Sequence, residues 1–183
     1  MRRLGFLLLL LAGCDASSQP QEPQALVANS AAAAPAAELP ALTGRVVDTA
    51  EILSPAEESA LTEASAALER RTTDQLVIVT LPSLQGATIE ATALTLGNRW
   101  AIGQRGKDNG VLLVVAPNDR KVRIEVGYGL EPILTNERAQ TIIDRDMLPP
   151  FREGRLADGI AAGTDAVVRL LIANAAAPRE GRT

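Results

Sequence analysis

Apolar positions in the first half of the chain alternate between helical and strand spacing. Ser54-Pro55-Ala56-Glu57 has the pattern of a capping box with proline at the first helical position, and it predicts a helix that ends near Arg71. Residues 75–81 form an apolar run rich in β-branched side chains, which is typical of a strand covered on both faces. A second helix is predicted over residues 88–102, where apolar residues recur at helical spacing.

The second half of the chain predicts a hairpin followed by two helices. Residues 111–116 are continuously apolar, whereas apolar and charged residues alternate over 121–126. We therefore expect an antiparallel hairpin whose second strand has one solvated face. Helices are predicted over 135–148, ending at Pro149-Pro150, and over 158–175. This order of elements predicts a three-layer α/β sandwich in which helices flank a mixed central sheet.

The two ends of the chain differ in composition from this folded part. Residues 1–13 contain two arginines, an apolar run and a small-residue exit, which is the pattern of an export signal. The run is too short to cross a bilayer as a helix. Residues 14–43 are rich in alanine and proline and predict a flexible tether. The folded domain is expected over 44–175, followed by a flexible tail over 176–183.

Leu11-Ala12-Gly13-Cys14 resembles the lipobox of bacterial lipoproteins. In that family the cysteine receives a diacylglyceryl group, the leader is removed before it, and the new amino terminus is acylated. The resemblance implies a domain outside the cytoplasm that is held to a bacterial membrane by lipid on Cys14. Asp15 resembles the signal for retention at the periplasmic face of the inner membrane in bacteria with two membranes. The alternative is an ordinary signal peptide followed by a chance cysteine.

Composition excludes several kinds of chemistry. The chain has no histidine, and its single cysteine is the predicted lipidation site. A Ser-His-Asp triad, a histidine zinc site and a thiol nucleophile are therefore excluded. Without the leader, 22 acidic residues face 16 basic ones (18 less Arg2 and Arg3), which argues against binding nucleic acid or anionic lipid. No organic cofactor is expected, because Gly127-Tyr128-Gly129 lacks the third glycine and the lysine of a phosphate loop.

Five short motifs occur in the order found in TPM domains. They are Val46-Val47-Asp48, Ile52-Leu53-Ser54, Trp100-Ala101-Ile102-Gly103, Asp108-Asn109-Gly110-Val111-Leu112-Leu113 and Val126-Gly127-Tyr128-Gly129-Leu130-Glu131. Over residues 44–172 the chain is similar to this family, which includes photosystem repair proteins of the thylakoid lumen and bacterial envelope proteins. The resemblance implies a TPM-like fold. Some members bind calcium or other divalent ions and have acid phosphatase activity, and others assist membrane protein complexes.

Three acidic residues match recurrent acidic positions of the family. They are Asp48, Asp108 and Glu131. The predicted order of elements places all three near one end of the sheet, where carboxylates from separate segments, with Asn109 as a further oxygen ligand, suit calcium or magnesium. The alternative is that these residues form turns and cap helices.

These observations predict a lipid-anchored envelope domain that binds a divalent cation. The family resemblance implies that it assists assembly, repair or quality control of membrane proteins, with an envelope or membrane protein as partner. The alternative is a metal-dependent phosphatase, in which Asp48 and Asp108 bind the cation and Lys107 or Arg152 contacts the phosphate. A structural envelope domain without a ligand is the third interpretation.

The lipobox predicts that Cys14 is the mature amino terminus and carries lipid. Mass spectrometry of the membrane-extracted protein is expected to show a chain that begins at Cys14 with added acyl mass. Several acyl chains anchor a protein stably, whereas one chain binds only marginally, so the protein is also expected to stay with washed membranes. A free thiol at Cys14, or a mature form that begins elsewhere, would contradict this prediction.

Overall fold

A computed structural model of the chain describes residues 39–175, and the predictions for the leader, most of the tether and the tail lie outside these residues. The strands are β1 (Val46–Asp48), β2 (Gln75–Thr80), β3 (Gly110–Ala116) and β4 (Lys121–Val126), and the helices are α1 (Pro55–Thr72), α2 (Ile89–Trp100), α3 (Asn136–Ile142), α4 (Leu148–Arg152) and α5 (Leu156–Ala173). A π-helical turn, Ile143–Met147, joins α3 to α4. None of the helices within residues 39–175 is both long and apolar enough to cross a membrane.

The strands form one sheet in the order β1-β2-β3-β4. β1, β2 and β3 run parallel, and β4 pairs antiparallel with β3 as the predicted hairpin. In this register Asp48 pairs with Thr80, at the carboxyl end of β2, and Gly110 pairs with Gln75, at its amino end. β1 is the strand that the sequence pattern did not predict, since three residues are too few for strand periodicity to be recognised.

Both faces of the sheet are buried at the two central strands, β2 and β3. Leu76 and Ile78 of β2 belong to a core with α1, α5 and the α3–α4 region, whereas Val77 and Val79 belong to a second core with α2. The continuous hydrophobicity of β2 and β3 follows from this double coverage, because successive side chains of a strand point to opposite faces. The structure confirms the predicted three-layer α/β sandwich with a mixed sheet.

The two parallel connections in the sheet have opposite hands. β1, β2 and β3 lie side by side in chain order, yet α1 covers one face of the sheet and α2 covers the other. Two right-handed crossovers that progress in the same direction would place both helices on one face. One of the two connections is therefore left-handed, which is rare among such units.

The predicted capping box begins α1. The Glu57 backbone amide donates to the Ser54 hydroxyl at 3.4 Å, and the Ser54 amide donates to the Glu57 carboxylate at 2.7 Å. The bond from the Ser54 backbone holds the pKa of Glu57 below its ordinary value. Two of the unpaired amides at this helix end are thereby satisfied by local sequence alone.

The chain continues as a helix through Pro149 and Pro150, so the prediction that a helix ends before them is wrong. The π-helical turn interrupts the regular i→i−4 hydrogen bonds directly upstream, and both prolines lie in the first turn of α4, where their missing N–H groups are not required. Met147 and Phe151 pack closely on α5, since a Cβ on Gly163 or Gly159 would overlap their side chains.

The packed chain begins upstream of Gly44, where the domain was predicted to start. The indole N–H of Trp100 donates to the carbonyl oxygen of Pro40 at 3.2 Å, and Leu39 packs against the second core. Leu39 also lines a small cavity of about 180 Å³ together with Thr49 and Leu81, at the carboxyl ends of β1 and β2. The segment upstream of β1 therefore enters the domain at the carboxyl end of the parallel strands.

Candidate functional site

Two loops cross at the amino end of β3. The loop over residues 103–109 precedes β3, and the loop over 127–135 follows β4, whose antiparallel direction returns the chain to the same end. The Gly127 amide donates to the carbonyl oxygen of Gly110 at 2.8 Å, and the Gly129 amide donates to that of Asp108 at 3.1 Å. The two motifs in which these residues lie therefore form one structural unit.

Glycine is required at this crossing because the backbones touch. A Cβ on Gly127 would overlap the carbonyl oxygen of Asp108, and a Cβ on Gly129 would overlap that of Lys107. The glycines of Gly127-Tyr128-Gly129 thus permit close packing rather than cradle a phosphate. The left-handed conformation at the crossing is adopted by Asp108 instead, with φ 46°.

A buried amide fixes the first loop to the sheet. Asn109 is 1% exposed; its side-chain oxygen accepts from the Gln104 amide at 2.8 Å, and its side-chain nitrogen donates to the carbonyl oxygen of Thr73 at 2.8 Å. Gln75 adds a second bond, because its side-chain oxygen accepts from the Gly103 amide at 2.8 Å. Asn109, predicted as a metal ligand, is therefore engaged in the scaffold of the loop.

Four side chains project from this rigid base. They are Lys107, Asp108, Tyr128 and Glu131, all of them exposed, and we refer to them as the loop face. Tyr128 is 71% exposed, although an aromatic ring is among the most favourable groups to bury. Sequence reasoning did not select Tyr128; the signal was an aromatic residue held between two glycines.

Asp48 lies at the other end of the sheet, so the prediction that three carboxylates gather at one end is wrong. The β2 partners of Asp48 and Gly110 are five residues apart, which corresponds to about 17 Å along a strand. Asp108 and Glu131 lie at the amino end of β3. Within residues 39–175, no group of three or more acidic side chains is placed to hold one metal ion.

The carboxylate of Asp48 is occupied by structural hydrogen bonds. One oxygen accepts from the Leu53 amide at 2.9 Å, and the other accepts from the hydroxyl of Thr80, which is fully buried. These bonds close the turn between β1 and α1 and attach it to β2. Asp48 has the role of a turn and capping residue, which was the alternative prediction for it.

The two predicted phosphate contacts are also separated. Lys107 belongs to the loop face, whereas Arg152 ends α4 and lines a cavity beside Arg120 and Lys121 at the hairpin turn, by the carboxyl end of β3. They cannot contact one phosphate together. The residues therefore divide into two surfaces at opposite ends of the sheet.

The structure is an α/β sandwich in which two loops contact each other through the backbone at Gly127 and Gly129. A comparison with protein families identifies this class of domain. The model of the TPM domain matches residues 46–170. The N-terminal domain of a P. gingivalis protein, solved by solution NMR, is 36% identical; the match covers 72% of this chain and 84% of that one, with a TM-score of 0.68. The chain belongs to the TPM domain family.

Two further solution NMR structures share the fold at lower identity. The N-terminal domain of a Corynebacterium glutamicum protein is 17% identical over 73% of this chain and 84% of its own, with a TM-score of 0.56. The BA42 protein of the psychrophilic bacterium Bizionia argentinensis is 20% identical over 68% of this chain and 84% of its own, with a TM-score of 0.59. No curated protein matches the sequence significantly.

The backbone crossing predicts that Gly129→Ala destabilises the domain by about 2–4 kcal/mol, since the added methyl group overlaps the Lys107 carbonyl and the loops must separate. Urea unfolding followed by circular dichroism measures this effect. Gly97→Ala in α2 is the matched control, because a Cβ there meets nothing within 4 Å. Replacing this helical glycine by alanine is expected to stabilise the domain by about 0.5–1 kcal/mol. Equal stability of the two variants would contradict the structural role of the crossing.

Proposed function

We propose that this protein is a lipid-tethered binding module of the bacterial cell envelope, held by Cys14, whose TPM domain docks on an envelope or membrane protein through the loop face. Such a module would assist assembly, repair or quality control of its partner. The export signal and lipobox support the anchoring, and membership in the TPM domain family supports the kind of role. With Asp15 after the cysteine, the inner membrane is the proposed site in bacteria with two membranes.

The exposed ring of Tyr128 is the observation that carries this proposal. Its loop is held by backbone bonds from Gly127 and Gly129, so the ring is presented on a rigid base. Binding of a partner then costs little conformational entropy in this loop. Tyrosines that become buried in an interface are common among the residues that contribute most of the binding free energy. The charges of Lys107, Asp108 and Glu131 around it suit a polar rim of mixed sign.

The loop face lies away from Leu39, the first residue that the structure describes. Leu39 enters the domain at the carboxyl end of the parallel strands, beside Thr49 and Leu81. The loop face lies at the amino end of β3, on the opposite side of the domain. A partner can therefore contact Tyr128 without displacing Leu39.

A photo-crosslinking experiment tests this function in native membranes. With p-benzoylphenylalanine at Pro132, an exposed position beside the loop face, the full lipid-anchored chain is expected to form a discrete adduct with a membrane or envelope protein. Tyr128→Ala is expected to reduce the adduct at least about tenfold, as for a dominant interface residue. Immunoblotting and mass spectrometry measure the yield and identify the partner.

Leu94→Ala is the matched control, because Leu94 is another exposed apolar residue, 54% exposed on α2. It is expected to leave the adduct unchanged. Equal losses in the two variants, or no adduct at Pro132, would argue against docking through the loop face.

Divalent-cation binding at the loop face is a second candidate function. Asp108 and Glu131 are both exposed at this end, and the Gly129–Asp108 hydrogen bond holds their loops together. Carboxylates and nearby backbone carbonyls are the ligands that calcium prefers. The phosphatase alternative required Asp48 and Asp108 on one cation, and the register separates those residues.

Calcium is accordingly expected to raise the melting temperature of the chain from residue 14 onward, made with Cys14→Ser, since a ligand of the native state stabilises it by mass action. A shift of several degrees is expected at about ten times the dissociation constant. Asp108→Asn should abolish most of the shift, and Asp165→Asn, at an exposed carboxylate on α5, should retain it. Identical melts in calcium and in chelator would remove this second candidate.

A further inference from the structure

A cavity of about 550 Å³ lies at the opposite end of the sheet from the loop face. It is bounded by the hairpin turn between β3 and β4 on one side, and by α4 and the start of α5 on the other. Its volume is within the range of about 300–1,000 Å³ that is usual for small-molecule sites. Neither the proposed docking surface nor the calcium candidate uses any residue of this cavity.

Three cationic side chains line the cavity. They are Arg120, Lys121 and Arg152, all of them exposed. Within residues 39–175 none of the three forms an ion pair. Three unpaired cations lie together on a chain whose net charge is negative, and this favours an anionic ligand.

The two carboxylates next to these cations in sequence bond to other groups. Asp119, directly before Arg120, accepts a hydrogen bond from the Leu84 amide at 2.8 Å. Glu153, directly after Arg152, forms an ion pair with Arg155. Neither of these carboxylates forms an ion pair with Arg120, Lys121 or Arg152.

Apolar groups form the remaining wall. Phe151, Leu148 and Leu156 line it from the helices, and Val122 lines it from β4, each of them half-buried. An inorganic anion would leave this apolar surface in contact with water. A ligand with an anionic head and an apolar body would remove this surface from water, which is favourable.

Two unusual local features produce this arrangement. The π-helical turn and the two prolines after it place Phe151 and Arg152 on α4, where the ring packs against Gly159 of α5. At the hairpin turn, Arg120 adopts a left-handed conformation with φ 52°, which glycine or asparagine would adopt with less strain.

We infer that this cavity binds an amphiphilic organic anion, with a carboxylate or phosphate head against Arg120, Lys121 and Arg152 and an apolar body against Phe151. Arginine suits such heads because its planar guanidinium can donate two parallel hydrogen bonds. The inference rests on the cavity alone and does not depend on the proposed docking function.

Titration with octanoate tests the inference, using the chain from residue 14 to 183 with Cys14→Ser. Calorimetry is expected to show binding of octanoate that is at least about tenfold tighter than binding of acetate, because the alkyl chain is buried. Octanol, which lacks the charge, is expected to bind more weakly than octanoate. NMR shift changes are expected at Phe151 and Leu148.

Arg152→Gln is expected to raise the dissociation constant of octanoate about fivefold to tenfold, through loss of one charged contact. Lys107→Gln is the matched control, because it removes one positive charge at the opposite end of the sheet, and it is expected to leave the constant unchanged. Arg120→Gly should weaken octanoate binding without lowering the melting temperature, since glycine relieves the left-handed backbone.

Several results would overturn the inference. Equal binding of acetate and octanoate, or of octanol and octanoate, would remove the amphiphilic ligand. Equal weakening by Lys107→Gln and Arg152→Gln would indicate a general charge effect. Binding to phosphatidylglycerol vesicles that Arg152→Gln abolishes, with no octanoate binding, would assign the cations to a membrane surface instead.

Discussion

The carbonyl groups of Lys107 and Asp108 lie directly against Gly127 and Gly129, and this contact between two backbones determines the amino end of the sheet. It joins the loop before β3 to the loop after β4, and it leaves Tyr128 between the two glycines, where its ring projects to solvent. The buried side chain of Asn109 attaches the first of these loops to the end of α1, through hydrogen bonds with Gln104 and Thr73. No side chain larger than hydrogen fits at the two glycines, so the display of the loop face depends on them.

The opposite hands of the two parallel connections have a consequence for the start of the domain. α2 lies over β3 and β4 rather than over β1 and β2. The segment upstream of β1 packs on that face. Leu39 contacts the second core, and the carbonyl oxygen of Pro40 accepts a hydrogen bond from the indole of Trp100. The end of the predicted tether thereby becomes part of the folded domain.

The two ends of the sheet differ in their chemistry. The loop face carries charges of both signs around an aromatic ring, whereas the cavity at the other end combines three unpaired cations with an apolar wall. The proposed protein partner would bind at the loop face, and the proposed amphiphilic anion would bind in the cavity at the other end. Because the two surfaces share no residue, a ligand at one would leave the other accessible.

Local patterns in the sequence determined most of the elements and the layer architecture. The capping box at Ser54, the apolar run that begins at Gln75 and the alternation over 121–126 each depend on neighbours within a few residues, so they can be read without the fold. Tertiary structure alone decided which functional residues meet. Asp48 and Asp108 are separated because Asp48 ends β1 whereas Asp108 precedes β3, and strand register depends on pairing between distant segments. Long-range packing also places Arg152 beside Arg120. The chain stays helical through Pro149 because a π-helical turn precedes it, and no local pattern in the sequence predicts that turn.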